Sequence, residues 1–212
     1  MMHLRAFTYE PSFMEMEYSN TFILFDDEKH AIIIDPGKKY DGIVDFLLEK
    51  KLNPLAILLT HGHCDHIEGI ENILNRYKNT KVYMHFEDFD YLSEPKLNLS
   101  KMLSGEGFSL KITPEFVKDG EELVFFEQYP IRIIHTPYHT PGSICFYFYK
   151  NNIIFTGDSL FKDGVGNTSF PRSNKKIMQS SLEKLFALPE ETIVYPGHGP
   201  KTTIGREKAV NL

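Results

Sequence analysis

Apolar positions fall into short runs separated by polar turns, and the spacing of those runs alternates between that of strands and that of helices. Thr21-Phe22-Ile23-Leu24-Phe25 and Ala31-Ile32-Ile33-Ile34 flank a polar turn from Asp26 to Lys29, which predicts a hairpin. An earlier strand is expected over Leu4 to Tyr9, and the hairpin closes at the turn sequence Asp35-Pro36-Gly37. Ile43, Val44, Leu47, Leu48 and Leu52 put one apolar face on a helix that Pro54 punctuates. Leu55 to Leu59 is a continuous apolar run of the length of a buried strand. Ile67, Ile70, Ile73, Leu74 and Tyr77 then predict a helix over residues 66–78, followed by a short strand at Lys81 to Met84. The order β-β-α-β-α-β is one half of a layered α/β fold. The pattern weakens between residues 85 and 120, where Phe86, Phe89 and Tyr91 predict a short helix and Leu97 to Gly107 reads as irregular. Strands resume at Leu123–Phe126, Ile131–Ile134, Ile144–Tyr149 and Ile153–Thr156. A helix over 174–186, capped by Ser173 or Asn174, leads to a last strand at Thr192–Tyr195 and a short helix from about Thr203. The pattern by itself defines an α/β class with mixed sheet.

Composition narrows the function without naming it. Hydrophobic residues at 42% and charged residues at 25% are ordinary for a globular protein. A net charge of -6 with no basic run argues against a nucleic-acid surface. No apolar stretch approaches the ~20 residues that a membrane span needs. Met1-Met2-His3-Leu4-Arg5 has no signal-peptide character, and Cys64 and Cys145 make no disulfide framework. A reduced, cytoplasmic protein is expected, with a small-molecule partner and an oligomeric state that the sequence leaves open.

The chemistry concentrates in Thr60-His61-Gly62-His63-Cys64-Asp65-His66, directly after the Leu55–Leu59 strand. His61 and His63 point the same way in an extended segment, and Asp65 and His66 follow at the start of the next helix. One loop can thus aim two ligands at one metal ion and two at a neighbour. Imidazole and carboxylate suit zinc first, with iron or manganese as alternatives. Cys64 reads as a spacer. Further on, His135 and His139 lie four apart, but Pro137 and Pro141 forbid the helix that would pair them. Asp158 follows a strand beside Gly157, where a carboxylate can reach two metals with one oxygen each. His198 also follows a strand, between Gly197 and Gly199. His85 reads as a surface or core histidine. All these groups sit at C-terminal ends of predicted strands, where ligands of α/β sheets gather.

The motif His-x-His-x-Asp-His resembles that of the metallo-β-lactamase superfamily, and the segments His139–Ser143, Gly157–Phe161 and Pro196–Pro200 extend the resemblance over nearly the whole chain. It implies one domain over residues 1–212, a four-layer αββα sandwich of two mixed β-sheets flanked by helices. It also implies His61, His63 and His139 on a first metal, Asp65, His66 and His198 on a second, and Asp158 bridging them. Asp35 would support the metal loop from behind unless it is only a turn former, and His135 would be a packed or supporting residue. With Thr202–Glu207 included, the chain is most similar to the glyoxalase II branch, the hydroxyacylglutathione hydrolases, in its short single-domain bacterial form. With 14 residues after His198, the chain is expected to resemble the short form rather than the longer enzymes, whose helical C-terminal domain binds glutathione. Gly166-Asn167-Thr168-Ser169 stands where those relatives read Gly-Arg-Thr-Asp, so Asn167 lacks a guanidinium charge.

The implied reaction is hydrolysis of small 2-hydroxyacyl thioesters. Two divalent cations would bring the pKa of a shared water toward ~7 for attack on the thioester carbonyl, with Asp65 as a proton relay. Lys162, Arg172, Lys175 and Lys176 are candidates to meet a carboxylate or phosphate on the carrier thiol. Competing readings on the same scaffold are a persulfide dioxygenase with one iron on His61, His139 and Asp158, a lactone or phosphodiester hydrolase, and a non-hydrolytic metal-binding redox module.

Overall fold

The computed structural model describes residues 1–8, 19–37, 41–103 and 105–211. Strands β1 (Met2–Phe7), β2 (Thr21–Asp26) and β3 (His30–Ile34) are followed by α1 (Asp41–Lys50) and β4 (Asn53–Leu58). Two short helices, α2 (Cys64–Ile67) and α3 (Ile70–Arg76), lead to β5 (Lys81–His85), a 3₁₀ turn at Phe86–Leu92, α4 (Ser100–Leu103) and β6 (Glu115–Val117). The second half runs through β7 (Glu122–Leu123), β8 (Ile131–His135), β9 (Ile144–Phe148) and β10 (Ile153–Gly157). It ends with α5 (Met178–Phe186), β11 (Ile193–Pro196), β12 (Thr202–Thr203) and α6 (Ile204–Asn211).

The strands form two six-stranded mixed sheets, ordered β1-β2-β3-β4-β5-β6 and β12-β11-β10-β9-β8-β7. In the first, β1 to β3 are antiparallel and β3 to β6 parallel. In the second, only β10 and β11 run parallel.

Strand alternation explains the layers. Phe22, Leu24, Ile32 and Ile34 face the other sheet and pack with Ile133, Phe146, Phe148 and Phe155. Their neighbours Ile23, Ala31, Ile33 and Ile57 face outward onto Ile43 and Leu47 of α1 and Ile67, Ile70 and Ile73 of α2 and α3. On the second sheet Ile134, Cys145, Tyr147, Ile154 and Val194 meet Leu182, Leu185 and Phe186 of α5 and Ile204 of α6. Both faces of the central strands are therefore covered, which is why their sequences are continuous apolar runs. Each such side chain contributes ~1.5–3 kcal/mol on burial. This is the expected four-layer αββα sandwich. Among the described residues no helix is long and apolar enough to cross a membrane.

Several elements differ from the sequence expectation. The helix over 66–78 is broken at Glu68 and Gly69, because this backbone passes against the Asp35-Pro36-Gly37 turn. The Gly69 N–H donates to the Pro36 carbonyl at 2.8 Å. The strand expected over 123–126 shrinks to β7, after which Phe126 turns into the inter-sheet core and Val124 into solvent. β6 and β12 are too short, at three and two residues, to show a period. The N-cap of the 3₁₀ turn preceding α5 is Asn174, whose side chain accepts from the Lys176 N–H. Tyr9, the expected end of the first strand, lies outside the described residues.

Gly69→Ala sets two effects against each other. Helix propensity alone favours alanine by ~1 kcal/mol. A Cβ there would lie 2.7 Å from the Gly37 carbonyl oxygen and 2.8 Å from that of Pro36. Overpacking against backbone costs ~1–3 kcal/mol, so the substitution is expected to lower the urea midpoint. A midpoint equal to or above that of the natural protein would show that the turn gives way freely.

Candidate metal centre

The loops that follow β4, β8, β10 and β11 meet where the two sheets end. The Ile144 N–H at the start of β9 donates to the Thr60 carbonyl at 2.8 Å, tying one sheet to the other beside the histidine cluster. The β10–β11 register slips between Phe155 and Gly157, which re-aims the chain next to the site. Gly157 holds φ +49°, and a Cβ there would collide with the Thr60 hydroxyl, so glycine is required where the backbone turns Asp158 inward.

Six of the candidate ligands fall into two sets. His61 Nε2 and His139 Nε2 each lie 3.0 Å from His63 Nδ1. Their rings stand at 81° to 87° to one another, so their nitrogens converge on a common point. In the other set, Asp65 Oδ2 lies 3.4 Å from His66 Nε2 and 3.2 Å from His198 Nε2. Asp158 touches both sets: Oδ1 is 3.4 Å from His66 Nε2, and Oδ2 is 3.4 Å from His139 Nε2 and 3.5 Å from His198 Nε2.

The donors fit divalent cations. His66 Nε2 and Asp158 Oδ1, which both face the cluster, are buried without a hydrogen-bond partner, which is costly in a protein interior unless something else binds there. Imidazole nitrogen with carboxylate oxygen is a donor set for zinc, iron or manganese.

The two sets differ electrostatically. Burial, with neighbouring imidazoles, holds His61 well below its ordinary value, brings His63 down to about 3 and lowers His139. These three are neutral, with lone pairs available. Burial also opposes charge on His66 and His198, but the surrounding carboxylates outweigh it. His66 is held well above its ordinary value, chiefly by Asp65 and Asp35, and His198 is pushed up to about 10, chiefly by Asp158. Asp65 and Asp158 stay ionised, well below the usual carboxylate range, because the imidazoles beside them outweigh the cost of burial.

Asp35 backs the site. Its Oδ2 accepts from His66 Nδ1–H at 2.9 Å and from the Thr60 hydroxyl at 2.6 Å, and its Oδ1 accepts from the Thr60 N–H at 2.8 Å. The Thr60 oxygen in turn lies 3.1 Å from His61 Nδ1, so this network orients two rings and leaves each Nε2 facing the centre. His139 Nδ1–H donates to the backbone carbonyl of Asn167 at 2.9 Å. Asn167 thus orients a ring through its main chain, and the loss of a guanidinium side chain at this position does not disturb that contact.

Other candidates lie apart. His135 Nε2–H donates to the Pro141 carbonyl at 2.8 Å, and its ring stacks on His85 at 4.0 Å and 20°. Parallel rings aim their lone pairs side by side, so this pair braces the loop before Gly142 while Glu87 lies 3.6 Å from His135. Arg172 is paired with Asp90 at 3.1 Å, and Lys162, Lys175 and Lys176 are exposed. The buried Cys64 thiol is pushed up to about 12 by burial and stays protonated. Two neighbours of the site carried no recognisable motif. Phe170 sets its ring edge-on to His63 and His139 at 5.6 and 5.8 Å, and Asp88 is buried beneath the loops. A polar residue inside the apolar spacing of Phe86, Phe89 and Tyr91 was the one signal for Asp88.

Two sheets between helices, with a histidine-aspartate centre at their common edge, define a metal-dependent hydrolase class. Residues 16–198 match the family described as the Metallo-beta-lactamase superfamily, and the chain belongs to it. It is 34% identical to the "Probable metallo-hydrolase YqgX" of Bacillus subtilis (strain 168), over 91% of this chain and 90% of that one. It is likewise 34% identical to the "Hydroxyacylglutathione hydrolase GloC" of Haemophilus influenzae, covering 91% of each. Among solved structures, the BLEG-1 B3 metallo-beta-lactamase superposes with a TM-score of 0.88 at 31% identity, covering 99% of this chain and 100% of that one. TTHA1623 in a di-iron-bound form gives 0.80 at 30% identity, covering 96% and 98%.

The contrast between the sets has a measurable sign. In metal-free protein His66 and His198 carry protons at neutral pH, so a cation entering beside them must displace protons, whereas one entering among His61, His63 and His139 displaces none. Affinity for the Asp65–His66–His198 set is therefore expected to rise as pH rises toward about 10, where His198 gives up its proton unaided. Zinc titration calorimetry in buffers of different ionisation enthalpy should show proton release with one equivalent only. Equal release with both equivalents would contradict the assignment.

Proposed function

We propose that this chain is a binuclear metal-dependent hydrolase of small 2-hydroxyacyl thioesters. The observation that carries the proposal is Asp158, whose carboxylate reaches His139 of one ligand set and His66 and His198 of the other. In this reading His61, His63 and His139 hold one cation, Asp65, His66 and His198 hold the second, and Asp158 joins them. Zinc suits the donors first. Iron is the leading alternative, in keeping with the di-iron form of TTHA1623, and manganese follows.

Bound cations supply a water ionised near neutral pH and positive charge facing the carbonyl oxygen as it becomes an oxyanion. The chain does the rest. Phe170 against His63 and His139, and Phe161 against His198 at 5.9 Å, give the centre apolar walls that limit water. In this reading Asp65, beside His198 and His66, relays the proton of the attacking water. The acyl carbon gains the water oxygen, its C–S bond breaks, and the leaving thiolate takes up the proton. Three described hydroxyls are committed elsewhere: Tyr91 donates to the Pro171 carbonyl, Tyr138 to that of Ser159, and Thr60 to Asp35. A thiolate, with a conjugate pKa near ~8.5, departs without a strong acid, whereas an amine needs one. That supports a thioester over an amide or lactam. The similarity to a hydroxyacylglutathione hydrolase points the same way. Lys162, Lys175 and Lys176 are exposed and available for an anionic carrier thiol, while Arg172 is held by Asp90.

Asp158→Asn is expected to loosen at least one metal and to lower turnover ~100-fold or more, because the amide cannot join both sets as an anion. Retention of two metals with near-normal turnover would remove the joining role.

The substrate class is tested on one metal-replete preparation by comparing kcat/KM for lactoyl-glutathione, a nitrocefin-type lactam and bis-nitrophenyl phosphate. Lactoyl-glutathione should be cleaved, with a high KM, and the lactam essentially untouched. The lactam is the pointed control, given the likeness to BLEG-1. If the lactam or the phosphodiester is preferred, or if no thioester turns over, the substrate assignment fails while the ligand sets stand.

A further inference from the structure

Asp88 lies in the 3₁₀ turn Phe86–Leu92 at 0% exposure, and the reaction above does not use it. Its Oδ2 accepts from the Gly62 N–H at 3.0 Å and from the Thr140 hydroxyl at 2.7 Å, and its Oδ1 accepts from the Gly142 N–H at 2.7 Å. Gly62 is the residue between His61 and His63, and Thr140 follows His139. One buried carboxylate therefore binds the loop after β4 in the first sheet to the loop after β8 in the second. We propose that Asp88 is a positioning residue that sets the spacing of His61, His63 and His139, and thereby the affinity of that set alone for a divalent cation. The inference rests on the ligand sets assigned under Proposed function.

The chemistry at Asp88 asks for a carboxylate. Backbone N–H groups that cannot turn face both of its oxygens. An amide in either orientation would set its own NH₂ against one of them, forcing one loop away. The loops have little room to compensate, since a Cβ on Gly142 would lie 2.6 Å from Asp88 Cγ and one on Gly62 would collide with Tyr91. Burial raises the Asp88 carboxyl to about 6, the three hydrogen bonds opposing the shift, so the group stays an anion at neutral pH.

The other ligand set has separate supports. Asp35 holds His66, the Ser19 hydroxyl donates to the Asp65 carbonyl at 2.6 Å, and Asn20 Nδ2 donates to the carbonyls flanking His198, those of Pro196 and Gly199, at 3.0 and 2.8 Å. The hydrogen bonds of Asp88 reach none of these groups. A change at Asp88 should therefore divide the two sites, where a general loss of stability would weaken both.

The test measures zinc affinity of the full chain by competition with a chelating dye, with the cobalt(II) spectrum as a second readout of ligand geometry. Asp88→Asn should weaken one equivalent ~10–100-fold and leave the other within ~2-fold. In a His198→Ala background the remaining equivalent should weaken on adding D88N, and in a His139→Ala background it should not. Thr140→Val, which removes one donor and spares the carboxylate, should shift the same equivalent less, and it carries the test if D88N does not fold. Equal weakening of both equivalents, or of neither, overturns the proposal. If the natural protein binds a single equivalent, the two-metal reading fails on its own. The role of Asp88 then stands only if that equivalent is lost with His139→Ala and weakened by D88N.

Discussion

The carboxylate of Asp35 is where fold and site become one problem. It is 2% exposed, at the end of the central strand β3, with φ +48°, a conformation that costs a non-glycine residue free energy. An anion in that position would be strongly disfavoured without partners. Its partners are the Thr60 N–H, the Thr60 hydroxyl and His66 Nδ1, all belonging to the next strand end or just beyond it. The Thr21 hydroxyl donates to the Asp35 carbonyl at 2.6 Å, so the hairpin is tied in as well. The local strain is thus held by the same contacts that orient His66 directly and His61 through the Thr60 hydroxyl.

Much of this was legible in the residue pattern, for reasons that can be named. Strands β2, β3, β4, β9 and β10 are buried on both faces, so each leaves an unbroken apolar run. The candidate ligands stood out through the dense cluster from His61 to His66 and the resemblance it carries, since a histidine at a strand end can equally be a brace, as His85 and His135 are. What escaped depends on contacts between distant segments. Gly69 breaks a helix that its own neighbours favour, because the Pro36 and Gly37 carbonyls occupy the space a side chain would need. β6 exists only because β5 offers it an edge. Asp88 looked like any surface acid of a helical turn until Gly62, Thr140 and Gly142 were brought around it. Asn167 works through its carbonyl, which no side-chain pattern can reveal.

The relatives show how far a scaffold constrains chemistry. A hydroxyacylglutathione hydrolase and a B3 metallo-beta-lactamase both match this chain at more than 30% identity over nearly its full length. The sandwich and the histidine loops are compatible with either description. Discrimination then falls to what surrounds the ligands, here the aromatic edges of Phe170 and Phe161, the committed hydroxyls, and the exposed lysines between β10 and α5. Function is carried by such grafted features on a common frame.

The division of ligands between the sheets also bears on how the molecule comes together. His61, His63, Asp65 and His66 follow a strand of the first sheet, whereas His139, Asp158 and His198 follow strands of the second, with Ile144 and Thr60 hydrogen-bonded across the seam. Neither half of the chain carries a complete centre, so a cation there acts as a reversible staple between halves distant in sequence, closing a long loop much as a disulfide would. Before that staple closes, the docking face offers a cluster of imidazoles and carboxylates that the apolar core alone must hold in register. A bound cation would therefore tighten a seam that Phe22, Leu24, Phe146 and Phe155 already close from the inside.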